Sequence, residues 1–226
     1  MGIGATVVLM AGLPASGKTT TAERLHARIG GELIRSCDVY QALGIVLPDW
    51  VRQTHGFTVN VEGYDRLRDQ AYVEMGRRLE TALAAGASLV IVDAVHGEPD
   101  KRAAVYAICD SWKAKPILVH CRCEDSMEVA RRFRSRNGRE HEPPNEASDL
   151  SVFRDIARRW SDPAHDRLSD GRIPTVVLYE TASGAVTLRT GERTRCVDQI
   201  IAVLDAPARR DGLPIYRAGA PARGSR

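Results

Sequence analysis

A chain of 226 residues with 43% hydrophobic and 27% charged side chains has the size and make-up of one globular domain, able to bury its core without disulfide or metal staples. Its formal net charge of +3 is too small to argue for nucleic acid or membrane partners, and no apolar run approaches the roughly 20 residues that span a bilayer. Five cysteines, an odd number without a CxxC pair, read as reduced structural thiols rather than a disulfide framework.

The first element in chain order is Ala5–Ala11 (ATVVLMA), a continuous apolar run typical of a strand buried on both faces of a parallel sheet. No basic leader precedes it and a glycine-rich loop follows at once, so no signal peptide is expected and the protein reads as cytoplasmic. Helical sequence from Thr19 to Ile29 stops at Gly30-Gly31, and Glu32–Arg35 makes a short second strand leading into Cys37-Asp38. Residues 61–85 predict a long helix with an apolar stripe of Tyr64, Leu67, Ala71, Val73, Met75, Leu79 and Leu83. Leu89–Val95 and Pro116–Cys121 predict two more buried strands, with a helix over Pro99–Trp112 between them. A further helix runs from Glu124 to Ser135, and the polar, proline-bearing residues 137–149 read as a loop. Ile173–Tyr179 is the fifth expected strand and Thr194–Leu204 a closing helix. Residues 1–205 therefore form the expected domain, and 206–226, with five arginines and one acid, a disordered basic tail. Alternation of strands and helices implies a parallel sheet covered on both faces.

The strongest chemical signal is Gly12-Leu13-Pro14-Ala15-Ser16-Gly17-Lys18-Thr19, which fits GxxxxGK[ST] at every specified position and lies between a buried strand and a helix. Glycines allow successive backbone N–H groups to face phosphate oxygens, and the helix N-terminus adds partial positive charge. The expected nucleotide-binding set is Gly12, Pro14, Ala15, Ser16, Gly17, Lys18, Thr19 and Thr20, with Lys18 reaching the β and γ phosphates of ATP. Thr19 and Asp93, at the end of the strand LVIVD, are the expected magnesium-side groups. No NKxD-type element that would read guanine is present, and Asp93 has no neighbouring glutamate to orient water. Both points favour phosphate transfer over a switch or a motor.

Five features together resemble the small P-loop kinases that include polynucleotide kinases, chloramphenicol phosphotransferase and zeta toxins: GLPASGKTT, Ser36-Cys37-Asp38 after the second strand, LVIVDAV, the arginine-rich ARRFRSR and a polar lid after it. The resemblance covers roughly residues 5–205 and implies the three-layer α/β fold of P-loop NTPases. That fold has a five-stranded parallel sheet in nucleoside-monophosphate-kinase order, helices on both faces and a helical lid at about 131–150. It implies that Asp38 faces the acceptor as general base or hydroxyl orienter, unless it only caps a helix beginning at Val39. It also implies that Arg132 and Arg136, one turn apart in a cluster with Arg131, Arg134 and Arg139, close over the transferring phosphoryl group beside Lys18. Arg102 is a further candidate for acceptor or phosphate contact, and residues 44–63 lie where the family builds its acceptor pocket. His96 and His120 read as structural, and Trp112 and Trp160 as packing residues. Gln41 stands where polynucleotide kinases often carry arginine, which weighs against a nucleic-acid acceptor. The expected activity is ATP-dependent phosphorylation of a small-molecule hydroxyl; the alternatives are a polynucleotide 5′-hydroxyl kinase and an ATP-binding regulatory module without transfer.

Overall fold

The first apolar run forms β1 (Thr6–Ala11), and its side chains alternate between two cores. Val7, Leu9 and Ala11 pack into one and Val8 and Met10 into the other, all fully buried. A strand sandwiched in this way has no polar face, which is why the sequence shows a continuous run rather than alternation. The structure, a computed structural model, describes residues 4–44, 62–136 and 156–206, apart from the side chains of 62–65 and 136. The expected acceptor segment 44–63, the loop 137–149 and the basic tail thus lie wholly or almost wholly outside the described residues.

After β1 come α1 (Lys18–Ile29), β2 (Glu32–Arg35), α2 (Ser36–Ala42), α3 (Glu62–Ala84), β3 (Leu89–Asp93), α4 (Pro99–Ser111), β4 (Lys115–Arg122) and α5 (Ser126–Arg136). A 3-10 turn at Pro163–His165, the hairpin of β5 (Thr175–Glu180) and β6 (Ala185–Thr190), and α6 (Arg195–Asp205) complete the described chain. The sheet order is β2-β3-β1-β4-β5-β6, with the first five strands parallel and β6 antiparallel to β5. One core lies between the sheet and α2, α3 and α4, the other between the sheet and α1 and α6.

The five expected parallel strands are present, and β6 is an addition to them. Its residues alternate exposed and half-buried between Gly184 and Gly191, the pattern of an edge strand with one face toward the protein. On α3 the buried line is Ala71, Met75, Leu79 and Leu83, four residues apart, while Val73 stands 74% exposed on the other side. Trp112, expected to pack, is 42% exposed at the end of α4.

Strand adjacency positions the site. β3 lies between β1 and β2, with Met10 opposite Asp93 and Asp93 opposite Arg35. The glycine-rich loop, Asp93 and the start of α2 therefore emerge side by side at the carboxyl edge of the sheet, where open α/β sheets bind ligands.

Candidate active site

The loop after β1 curls back on itself through the Ser16 N–H donating to the Leu13 carbonyl at 3.1 Å. Gly12 is required by space: a Cβ there would lie 2.3 Å from the Cys121 carbonyl oxygen on β4 and 2.6 Å from Ser16 Oγ. Gly17, at φ 88°, is required by backbone geometry, since it turns the chain into α1 from the left-handed region. Ala15 adopts φ 61° without glycine's freedom, local strain of the kind held at functional loops. No side chain caps the first turn of α1, which leaves that helix end available to an anion.

Lys18 is buried to 8% exposure, and its Nζ donates to the Leu13 carbonyl at 2.8 Å. Asp93 is 3% exposed, and burial pushes its carboxyl above the usual carboxylate range against the pull of Lys18 and a hydrogen bond from Thr19. One of its oxygens, Oδ1, is buried without a hydrogen-bond partner, as is Ser16 Oγ. A buried carboxylate oxygen left unpaired is costly unless a ligand completes it. The donor set fits magnesium, a hard cation that takes one or two oxygen ligands from the protein and the rest from phosphates and water. No cluster of three or more His, Cys, Asp or Glu side chains suited to a metal occurs among the described residues.

Asp38 does not cap a helix beginning at Val39. α2 begins at Ser36, so Asp38 lies in its first turn, where a carboxylate also favours the helix dipole. Its two oxygens accept a fork from Arg35, Nε to Oδ2 at 2.8 Å and Nη2 to Oδ1 at 3.0 Å, while Arg35 Nη1 reaches Glu23 Oε1 at 3.0 Å. Arg35 thus joins α1 to α2 and fixes the carboxylate's orientation, and Asp38 in turn holds the guanidinium pKa well above its ordinary value. Sequence reasoning missed Arg35; its position at the end of β2, three residues before Asp38, was the available signal. A carboxylate has about four lone-pair sites, so Asp38 keeps acceptor capacity for a hydroxyl.

On α5, Asp125 Oδ1 accepts the Met127 and Glu128 N–H groups and starts the helix at Ser126. Arg132 turns to the glycine-rich loop: Nη1 donates to the Ala15 carbonyl at 3.1 Å and to Thr181 Oγ1 at 2.8 Å, and Nε to Glu128 at 2.7 Å. Hydrogen bonds from Arg131 and then Arg132 hold the Glu128 carboxyl down at about 2. Thr181, at the β5–β6 turn, donates to the Ser16 carbonyl at 2.8 Å. The unforeseen β6 thus brings a hydroxyl onto the loop. Gly17, Thr20, Arg24, Arg132, Tyr179 and Thr181 border a cavity of about 420 Å³ beside it. Arg134 is 8% exposed, with Nε and Nη1 buried and without hydrogen-bond partners. The Arg136 side chain lies outside the described residues.

Arg102, expected near acceptor or phosphate, has another role. It is fully buried and forks onto Asp166 at 2.6 and 2.7 Å, while Nη1 donates to the carbonyls of His96 and Gly97. Tyr106 adds its hydroxyl to the same carboxylate at 2.9 Å. His96 is structural as expected: Nδ1 bonds the Met10 carbonyl at 2.8 Å, and burial pushes its pKa down to about 4. His120 packs against Trp160 with ring centroids 4.9 Å apart, and burial lowers it to about 4 as well. All five cysteines are free thiols.

A phosphate-binding loop of this sequence after the first strand of the sheet, with an aspartate ending its neighbour, defines a P-loop nucleotide-binding protein. Residues 7–163 match the family model described as AAA domain, and the chain belongs to that family. No curated protein matches the chain significantly. Among solved structures, the APS kinase of Mycobacterium tuberculosis in complex with AMPPNP and APS superposes with a TM-score of 0.53 at 16% identity, covering 91% of this chain and all (100%) of that one. A putative kinase from Chloroflexus aurantiacus gives 0.52 at 18% identity, over 78% of this chain and 85% of that one. A sugar kinase from Janibacter gives 0.52 at 13% identity, over 88% and 91%. These likenesses establish the fold. No helix among the described residues is long and apolar enough to cross a membrane.

Proposed function

We propose that the protein is an ATP-dependent kinase that transfers the γ-phosphate to a hydroxyl of a small-molecule acceptor. The observation that carries this reading is the juxtaposition of a nucleotide and metal site with a fixed carboxylate at one sheet edge. Asp93 keeps an unpaired buried oxygen next to Thr19 and Lys18, and on the adjoining strand Arg35 holds Asp38 at the start of α2. Similar folds described as kinases support phosphate transfer, and because one is described as a sugar kinase and another as an APS kinase they do not choose an acceptor for this chain.

In this reading the loop from Gly12 to Thr20 cradles the phosphates of ATP. Thr19 and Asp93 would hold magnesium, which would neutralise charge on phosphate oxygens. Asp38 accepts the proton of the acceptor hydroxyl as that oxygen bonds to the γ-phosphorus, and the bond to the bridging oxygen breaks to release ADP. The transition state is loose, so orientation by the Arg35–Asp38 fork matters more than strong basicity. Lys18 and the α5 arginines neutralise the spreading charge. Arg132 and Arg136, one turn apart, take that role.

The test is ADP release from ATP and magnesium, wild type beside Asp38→Asn, against a panel of nucleosides, sugars, antibiotics and oligonucleotides. Asp38→Asn should lower acceptor-dependent turnover about 10²–10⁴-fold with little change in ATP affinity. Normal turnover in the variant removes Asp38 from the chemistry. The pairing of Asp38 with Arg35 also suits a regulatory nucleotide-binding module, which predicts tight ATP binding and no acceptor response.

A further inference from the structure

The turn between β5 and β6 is pinned through its own backbone. The Thr181 N–H donates to the Arg122 carbonyl at the end of β4 at 2.8 Å, and the Gly184 N–H closes the turn onto the Glu180 carbonyl at 2.8 Å. Glu180 Oε1 accepts the N–H groups of Glu124 and Ala182, which ties the turn to the chain leading into α5. Thr181 is therefore a fixed, half-buried post beside the glycine-rich loop. The approach is close: a Cβ on Gly17 would lie 3.2 Å from Thr181 Cγ2 and 3.3 Å from Arg132 Nη1.

Two consecutive carbonyls of the loop are held at that post. The Thr181 hydroxyl donates its one hydrogen to the Ser16 carbonyl at 2.8 Å, while its oxygen accepts Arg132 Nη1 at 2.8 Å. The same Nη1 donates to the Ala15 carbonyl at 3.1 Å, and Nη2 reaches the Thr181 carbonyl at 3.3 Å. In a trans peptide the C=O and N–H point in opposite directions, so drawing these carbonyls toward the β5–β6 turn sends the Ser16 and Gly17 N–H groups away from it. The Ser16 N–H does point back across the loop, to the Leu13 carbonyl that also receives Lys18 Nζ. That is the side on which a loop of this sequence holds phosphates. Ala15, at φ 61°, keeps a conformation that is costly for a residue with a side chain and persists only where its surroundings over-determine it. The two anchored carbonyls supply that constraint.

We infer that Thr181 is a positioning residue for the nucleotide: its hydroxyl, relaying Arg132 onto the Ser16 carbonyl, presets the loop amides for phosphate before a ligand arrives. The inference rests on the loop as the phosphate site, and it stands whether or not the phosphate is then transferred. Thr181 also lines the cavity of about 420 Å³ beside the loop, so direct contact with the base of the nucleotide is the competing role. The two roles differ in what a ligand without a base would feel.

The full chain is titrated calorimetrically with magnesium ATP and with magnesium tripolyphosphate, which carries the phosphates and no base. Wild type, Thr181→Ser and Thr181→Ala are compared at a temperature where all three are folded; the two variants differ from each other only by the hydroxyl. Thr181→Ala should weaken both ligands by the same factor, about 3–10-fold, the worth of one hydrogen bond. Thr181→Ser keeps the hydroxyl and should bind both within about twofold of wild type. A loss confined to ATP makes Thr181 a contact of the base and overturns the inference. Equal losses in Thr181→Ser and Thr181→Ala also overturn it, because packing of the γ-methyl and not the hydroxyl would then matter. Unchanged affinity in Thr181→Ala overturns it as well. Failure of the wild type to bind either ligand overturns the phosphate site itself, and the kinase reading falls with it.

Discussion

Two buried polar clusters lie on this molecule, and they differ in how completely they are paired. Around Arg102 the carboxylate of Asp166 receives two guanidinium bonds and the Tyr106 hydroxyl, and the remaining guanidinium nitrogen meets two backbone carbonyls. Around Asp93, by contrast, a carboxylate oxygen and the nearby Ser16 hydroxyl end without partners. Both sites hold charge at under 10% exposure, so burial does not tell them apart. Completeness of pairing does. A closed network rigidifies the loop after β3, where Gly97 also accepts no side chain without disturbing Trp160, whose Cε3 would lie 3.1 Å from a Cβ. An open one leaves bonding capacity for something the protein must bind.

The sharpest way to break this contrast is to cut the closed cluster. Arg102→Met leaves Asp166 buried and uncompensated and should cost about 3–5 kcal/mol in urea unfolding, with ATP affinity unchanged where the variant is folded. Combining it with Asp166→Leu should restore much of the loss, since removing both charges leaves nothing unpaired. A large loss of ATP affinity in folded Arg102→Met would return Arg102 to the nucleotide site.

These clusters also show what could be read in the sequence. The glycine-rich loop and the strand ending in Asp93 were legible because each is local: a run of apolar residues and a motif of fixed spacing carry both element and chemistry. Arg102 was misread because its partner is 64 residues away and nothing in either segment announces the other. Thr181 was missed for the same kind of reason, since it meets Ser16 across 165 residues. The strand that brings it there, AVTLRT between two glycines, did carry a period-2 signal. Arg35 is a different case. Its partner Asp38 is only three residues on, and that spacing becomes a signal only once α2 is known to begin at Ser36.

The buried histidines extend the comparison to pH. His96 and His120 are each held down to about 4 by burial, well below the unfolded value near 6.5. A base with a lowered folded pKa contributes stability that is full above the unfolded value and is lost as pH falls toward the folded one. Between pH 7 and pH 5 each should remove about 2 kcal/mol from the unfolding free energy. Urea midpoints at the two pH values measure the sum, and His120→Phe should shrink the pH dependence by about half. A flat profile would mean that these rings charge in place or are solvated.

The smallest effect is the most discriminating, because its sign reverses between the two clusters. Burial raises the Asp93 carboxyl above its unfolded value, so the stability tied to its protonation is present at low pH and fades as pH rises through the raised folded value. At neutral pH the burial of this carboxyl therefore works against the empty protein. Asp93→Asn should raise the unfolding free energy of that protein by about 0.5–2 kcal/mol, the range of single substitutions that relieve a functional cost. Magnesium and ADP should reverse the order: at 100 times Kd the wild type gains about 2.7 kcal/mol, and the variant, lacking the anionic ligand, gains less. Thermal midpoints of both proteins with and without magnesium and ADP read this crossover directly. If Asp93→Asn instead loses stability without ligand, Asp93 belongs with Arg102 and Asp166 as a structural charge, because a carboxylate the fold relies on cannot be neutralised at a gain.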